Sequence, residues 1–388
     1  MYGNQGQLDM YFMMLYGGVA MMAIMSCVYL LLRPVNVIVK NVQSPRELRL
    51  WAAAFLATMA GSHVWWILLG QVWLTDDQLV RILILIALDN MTLVPLIMAT
   101  LLRLLQDRRR PLWLFFASVL PTAVLVIIGV TTRQRVIEWV MQGYVFVVGV
   151  IFFVYMVVAV RQYGRWLKDN FADLEHKEVW QSLLAPLCLL PVFYLYVYHG
   201  GELYREYLTQ FVSIIIIIYI VWRVETLQTL EITDADDKDD RDDGNVVPPT
   251  EIVESEVSNI DTSAYQKMDK LLREYCEKKQ LYRQHDMTLQ QLATAIGTNR
   301  TYLGTYFAER GETYNSYINR LRIEHFTQLY RQKLSNGDTA TAKELAVESG
   351  YHSYSTFGVA FKQYMGMPVT QWIKSINEEN SIDNNESR

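Results

Sequence analysis

A helix needs about 20 mostly apolar residues to cross a bilayer, and the first part of this 388-residue chain holds seven such stretches. They run approximately over Met10–Leu32, Leu48–Gly70, Leu79–Leu105, Leu112–Thr132, Tyr144–Val160, Leu183–Tyr198 and Tyr207–Trp222. Hydrophobic residues make up 52% of the chain and charged ones 19%, but the average hides a split. The apolar residues crowd into the first part, and the remainder is polar. Composition therefore excludes a disordered protein, a collagen and a small disulfide-stapled domain. Three scattered cysteines, Cys27, Cys188 and Cys276, provide neither a disulfide framework nor a metal-ligand spacing. The first apolar stretch is too long for a signal peptide, and no basic residue precedes it.

Lys and Arg in short loops set the orientation of membrane helices. Loop one holds Arg33, Lys40 and Arg46; loop three holds Arg108, Arg109 and Arg110; loop five holds Arg161, Arg165, Lys168 and Lys177. Loop two has none, and loop six has only Arg205. The alternation places the N-terminus outside and the C-terminus in the cytoplasm, as an odd helix count also requires. Arg133 and Arg135 in loop four are the exception. Trp65, Trp66, Trp73, Trp113, Trp139 and Trp222 lie near span ends, where an interfacial aromatic belt would sit.

Ionisable residues inside a membrane must pair, protonate or face a wet cavity. Asp89 and Asn90, in the third span, are candidates for intramembrane sensing, with His63 in the second span as a candidate partner for Asp89. An interhelical hydrogen bond that only holds the bundle together is the plainer reading. Pro95, Pro121, Pro186 and Pro191 interrupt spans three, four and six and would permit kinks.

Residues 231–262 change character. Asp234 to Asp243 carries seven acids against two bases, a run that repels itself and is expected to be an extended, disordered linker. A sharper reading is an arm that mimics DNA and competes for the basic surface downstream.

The last third carries a repeated pattern. Thr288 and Gln291 form a capping box, Leu289, Leu292, Ala293 and Ile296 make one apolar face, and Gly297 stops the helix. Asn299 then caps a second helix with Leu303 and Phe307 inward. Thr341 and Glu344 repeat the box; Ala346 and Gly350 repeat Ala293 and Gly297 53 residues on; Ser353, Phe357 and Phe361 repeat Asn299, Leu303 and Phe307 54 residues on. Two helix-turn-helix units follow. Between them Tyr314–Leu334 reads as one helix with Tyr317, Ile318, Leu321 and Phe326 inward, long enough to hold two recognition helices one DNA turn apart. Upstream, Tyr265, Met268, Leu271, Leu272 and Tyr275 form an apolar face, expected to pack on the first unit, with a dimer seam as the alternative.

Met287-Thr-Leu-Gln-Gln-Leu-Ala with Gly297-Thr-Asn-Arg-Thr-Tyr-Leu303, Ser316-Tyr-Ile-Asn-Arg-Leu-Arg-Ile-Glu324, and Glu344-Leu-Ala with Ser349-Gly-Tyr351, Phe357, Phe361-Lys and Gly366-Met-Pro368 agree in order and spacing with one family. Over about residues 263–376 the chain resembles AraC/XylS transcription regulators. The resemblance implies two helices entering successive major grooves of double-stranded promoter DNA. By position it implies DNA contacts from Asn299, Arg300, Thr301, Gly304 and Thr305 in the first recognition helix. In the second it implies Tyr354, Ser355, Thr356 and Val359, with Lys362 near a phosphate. Family members often carry Arg or Gln where this chain has Gly304, Thr305 and Val359, so bidentate base readout is thin. Arg283 to Lys374 holds ten bases and seven acids. This gives modest phosphate attraction, and high affinity would then need a homodimer or two neighbouring sites.

The expected architecture is all-α. A seven-helix transmembrane bundle (1–230) and the linker (231–262) precede a cytoplasmic AraC-type domain (263–376), in which a long helix joins two helix-turn-helix motifs. A disordered tail follows (377–388). The expected function is a one-component transcription regulator in the bacterial inner membrane. Its partners would be promoter DNA, the lipid bilayer, RNA polymerase, a second copy of the chain and an unidentified small-molecule or envelope signal. The alternative is a multi-pass transporter or membrane scaffold with a regulatory tail. The sequence has no P-loop, HExxH, GxSxG or Cys/His metal spacing, so neither an enzyme nor a cofactor is expected.

Overall fold

The structure, a computed structural model, describes residues 6–33, 35–39, 42–69, 77–183, 202–230, 262–336 and 341–386. It is all-helical and divides into two compact units: Met1–Gly164 with His176–Glu231, and Arg165–Glu175 with Ile232–Arg388.

In the first unit six helical segments among the described residues are long and apolar enough to cross a membrane. They are α1 (Gly6–Leu32), α2 (Arg46–Ile67), α3 (Gln78–Arg103), the pair α4 (Trp113–Ala117) and α5 (Val119–Thr132), α6 (Val136–Asn170) and α7 (Glu202–Thr226). The expected span Leu183–Tyr198, with Pro186 and Pro191, lies outside the described residues beyond Leu183. The largest departure is α6. It begins at Val136 rather than Tyr144 and runs 35 residues, its last ones from Arg165 grouping with the second unit. Pro95 lies inside α3. Pro121 falls in the first turn of α5, where its missing N–H has no helical partner to lose. Met14, Ile127, Ile151 and Ile215 are each more than half exposed. Such apolar outer faces suit a lipid surround.

Polar contacts sort the connections of this unit into two ends. Arg49, at the start of α2, is buried; it donates to Ser44 Oγ (2.6 Å), to the Arg33 carbonyl and to Glu225 at the end of α7 (2.9 Å). Glu225 also accepts from the Val37 amide. Thr229 donates to the Gln43 carbonyl, Gln228 to that of His176, and Gln106 to that of Gln228. Glu47 pairs with Arg103 (3.4 Å). The loops after α1, α3 and α6 and the segment after α7 therefore meet at one end. Asp77, which caps α3, pairs with Arg133 after α5 (3.4 Å) at the other.

The second unit is built on α11 (Tyr314–Asn336). Before it come α8 (Thr262–Leu271), a π-helical turn Leu272–Lys278, a 3-10 turn Leu281–Arg283, α9 (Leu289–Ile296) and α10 (Arg300–Glu309). After it come α12 (Ala342–Glu348), α13 (Tyr354–Met365) and α14 (Val369–Glu386). Helix α14 continues through most of the segment expected to be a disordered tail. The acidic linker lies outside the described residues up to Asp261.

Helix α11 serves two cores. Tyr314, Tyr317, Ile318 and Leu321 join Met268, Leu272, Leu289, Leu292, Ala293, Leu303 and Phe307 in the first. Ile323 and Phe326 join Leu345, Ala346, Tyr351, Phe357, Phe361 and Trp372 in the second. The expected inward residues of the long helix are all buried. The upstream face, Met268 and Leu272 with Tyr265, Leu271 and Tyr275 at its margin, packs on the first core.

Candidate nucleic-acid interface

The two helix pairs are set by the same local chemistry. Thr288 Oγ1 accepts from the Gln291 amide while the Gln291 side chain accepts from the Thr288 amide; Thr341 and Glu344 do the same. At Glu344 these bonds hold the carboxyl below its usual range. Gly297 (φ 77°) and Gly350 (φ 101°) end the leading helices in left-handed backbone. The Gly297 amide donates to Thr294 and the Thr298 amide to Ala293; the Gly350 amide donates to Val347 and the Tyr351 amide to Ala346. That is one Schellman motif used twice. Ala293 and Ala346 are fully buried, as small residues at a close helix crossing must be. Asn299 and Ser353 then cap α10 and α13, accepting from the Tyr302 and Thr356 amides. The first turn runs two residues from glycine to cap and the second three.

Beyond these caps the residues implied for DNA contact run along each following helix, from Arg300 to Thr305 on α10 and from Tyr354 to Lys362 on α13. Thr301 and Thr305 lie along α10, where Thr305 Oγ1 donates to the Thr301 carbonyl. A Cβ at Gly304 would meet only the Leu289 side chain, at 3.7 Å. On α13 Tyr354, Ser355, Val359 and Lys362 are exposed, Val359 at 69%. Arg300 and Thr356 already have partners within the second unit. Arg300 Nε donates to Asn170 Oδ1 (2.9 Å), and Thr356 Oγ1 donates to Glu175 Oε2 (2.8 Å).

The charge count from sequence needs correction. Arg322, counted there among the phosphate-attracting cations, is 1% exposed and faces inward. Its Nε donates to the Tyr282 carbonyl and its Nη2 to that of Gln284, both at 2.7 Å, and its guanidinium lies over the Tyr351 ring. Burial pushes its pKa below the usual arginine value, against the opposing pull of Tyr351 and Asp173. Arg310 pairs with Asp269 (2.6 Å) and Arg320 with Glu312 (3.5 Å). Burial pushes the Cys276 thiol up to about 12, which keeps it protonated near neutral pH and unreactive.

In the first unit Asp89 is held by Ser62 Oγ (2.6 Å), Trp65 Nε1 (3.1 Å) and Trp66 Nε1 (2.7 Å), all on α2. These donors were missed because Trp65 and Trp66 read as interfacial belt residues. His63 does not bond Asp89: its Nδ1 lies 2.8 Å from the Met59 carbonyl, its Nε2 lies 3.0 Å from Gln210 Oε1, and Tyr16 packs on its ring. Asn90 is half-buried. The Asp89 carboxyl group thus ties α3 to α2 through three donors.

No curated protein and no solved structure matches the chain. Residues 292–375, less than half of the chain, match the family model described as a helix-turn-helix domain. That stretch holds an AraC-type helix-turn-helix domain.

Proposed function

We propose that this chain is a membrane-embedded, one-component transcription regulator of bacterial type. Its C-terminal domain binds promoter DNA through α10 and α13, and its apolar unit senses a signal in or beyond the membrane. The observation that carries this is the duplicated helix pair. Two capping boxes, two Schellman glycines and two N-capped helices recur at fixed spacing on one connecting helix. A pair of helix-turn-helix motifs joined rigidly fits two successive major grooves. Asn299, Arg300, Thr301, Gly304 and Thr305 form the first contact set in this reading, and Tyr354, Ser355, Thr356, Val359 and Lys362 the second. Orientation follows from charge: loops one, three and five carry the Lys and Arg excess, so their end faces the cytoplasm. The segment after α7 meets those loops, so the DNA-binding domain emerges on the side where DNA is. Thin base-reading chemistry favours a homodimer or paired sites, with RNA polymerase as a further partner at the promoter.

Crosslinking tagged full-length protein to the chromosome in its native cells, then sequencing the recovered DNA, tests this reading. Discrete peaks upstream of genes, lost in a Tyr354→Ala/Lys362→Ala variant, are expected. Protein present in the membrane with no enrichment above an untagged control overturns it, and solute uptake by proteoliposomes then tests the transporter alternative.

A further inference from the structure

The second unit contains a segment far removed in sequence from the helix-turn-helix domain. Arg165–Glu175 groups with it rather than with the apolar unit, and its contacts are specific. The Ala172 amide donates to the Met287 carbonyl (3.1 Å), and Phe171 pairs antiparallel with Thr288. Asn315 Nδ2 on α11 donates to the carbonyls of Phe171 (3.2 Å) and Ala172 (2.8 Å). Ala172 is 2% exposed and part of the first core. Asp173 turns the chain by accepting from the Glu175 amide (3.0 Å), and it is itself buried. At either end of this short run a side chain reaches a recognition helix: Asn170 takes Arg300 at the start of α10, and Glu175 takes Thr356 in the first turn of α13.

We propose that Asn170–Glu175 is a built-in competitor of DNA, occupying both recognition helices at once so that DNA binds only when the segment leaves. This rests on the DNA-binding reading above. The chemistry is that of a phosphate contact. A carboxylate at the N-terminal turn of α13 lies where exposed helix N–H groups and the helix dipole favour an anion. Arg300 and Thr356 cannot serve the segment and a duplex together. Because the competitor is part of the same chain, its effective concentration does not fall on dilution, and the domain it opposes carries only modest positive charge. The segment continues directly from the end of α6, so a movement of that helix that draws the segment away would favour DNA. The acidic competitor suggested by the sequence thus has a counterpart on a different stretch of chain from the linker.

The test uses full-length protein in lipid nanodiscs and a duplex enriched from a random-sequence pool by wild type and an Asn170→Ala/Glu175→Ala variant in parallel. The variant is expected to bind that duplex about tenfold more tightly than wild type, within the usual span of intramolecular coupling. A Phe171→Cys/Thr288→Cys variant provides a reversible lock. The hydrogen bond from the Ala172 amide to the Met287 carbonyl makes Phe171 and Thr288 a non-hydrogen-bonded antiparallel pair, whose closely spaced side chains suit a disulfide. The oxidised form is expected to bind about tenfold more weakly than the same protein after reduction, a comparison in which the two substitutions, including loss of the Thr288 cap, are common to both states. If either change is absent while Tyr354→Ala/Lys362→Ala still weakens binding, the competitor is overturned and the DNA reading stands. If no form enriches or binds a duplex, the DNA reading falls and takes the competitor with it.

Discussion

The two helix pairs of the second unit share their caps and differ in what surrounds them. Around Gly297 the space for a side chain is open, whereas a Cβ at Gly350 would come within 2.7 Å of the Arg283 backbone. Gly297 meets only the conformational demand of its turn. Gly350 also lets the 3-10 turn of the first half press against the second, where Arg283 Nε donates to the Glu348 carbonyl and His285 Nδ1 lies 3.0 Å from that of Gly350. The second core is also the more aromatic, with Phe357 and Phe361 both packed on Phe326 and Trp372 closing the cluster. Repeating a motif conserved its hydrogen bonds but not its role. One pair folds around its own turn, and the other uses its turn as an interface.

The largest effect is expected from Phe326→Ala. Phe326 is fully buried at the centre of the second core, and its removal is expected to cost about 4 kcal/mol. Hydrogen exchange in the full-length protein should accelerate across α12 to α14 and leave α9 and α10 protected. Equal acceleration in both halves would show one cooperative core instead of two. Next in size, Gly350→Ala should cost about 3 kcal/mol, from left-handed backbone and a backbone clash together, against about 1 kcal/mol for Gly297→Ala, where only the backbone term applies. Equal exchange effects at the two turns would mean that Gly350, like Gly297, meets only the conformational demand of its turn. The smallest effect concerns pH. Burial, reinforced by Arg283, holds His325 below the usual histidine value, and its Nδ1 lies 2.9 Å from the Tyr282 hydroxyl. The folded state therefore binds fewer protons than the unfolded one. The contribution is complete above about pH 6.5 and is lost as pH falls below it. Exchange at residues 281–283, corrected for its intrinsic rate, should quicken between pH 7 and 5 in wild type and lose that dependence in His325→Leu.

What could be read from the sequence was what the chain determines locally. A capping box spans four residues and a Schellman glycine reports on the turn just before it, so both pairs and the inward face of α11 were legible. The apolar spans were legible as existing, but the start of α6 was not, because Val136 to Gly143 mixes Glu138 and Gln142 with apolar residues. Contacts between distant residues were out of reach. Arg322 counted as a surface cation because the carbonyls that bury it belong to Tyr282 and Gln284, about forty positions upstream. For Asp89 the right span was legible and the wrong residue chosen, because which side of α2 faces α3 depends on packing: Ser62, Trp65 and Trp66 reach it and His63 does not. Nothing in Asn170 or Glu175 announced a place beside Arg300 and Thr356.

Helix α11 passes from one core to the other without a break, its inward side changing allegiance between Leu321 and Ile323. The angular phase of the two halves is therefore encoded in a residue count. Inserting one residue at that junction would rotate everything downstream by about 100° and advance it by about 1.5 Å, whereas seven residues, close to two whole turns, would nearly restore the phase and lengthen the span. Such a helix can change in length only in near-whole turns, so the separation of the two halves varies in discrete steps rather than continuously.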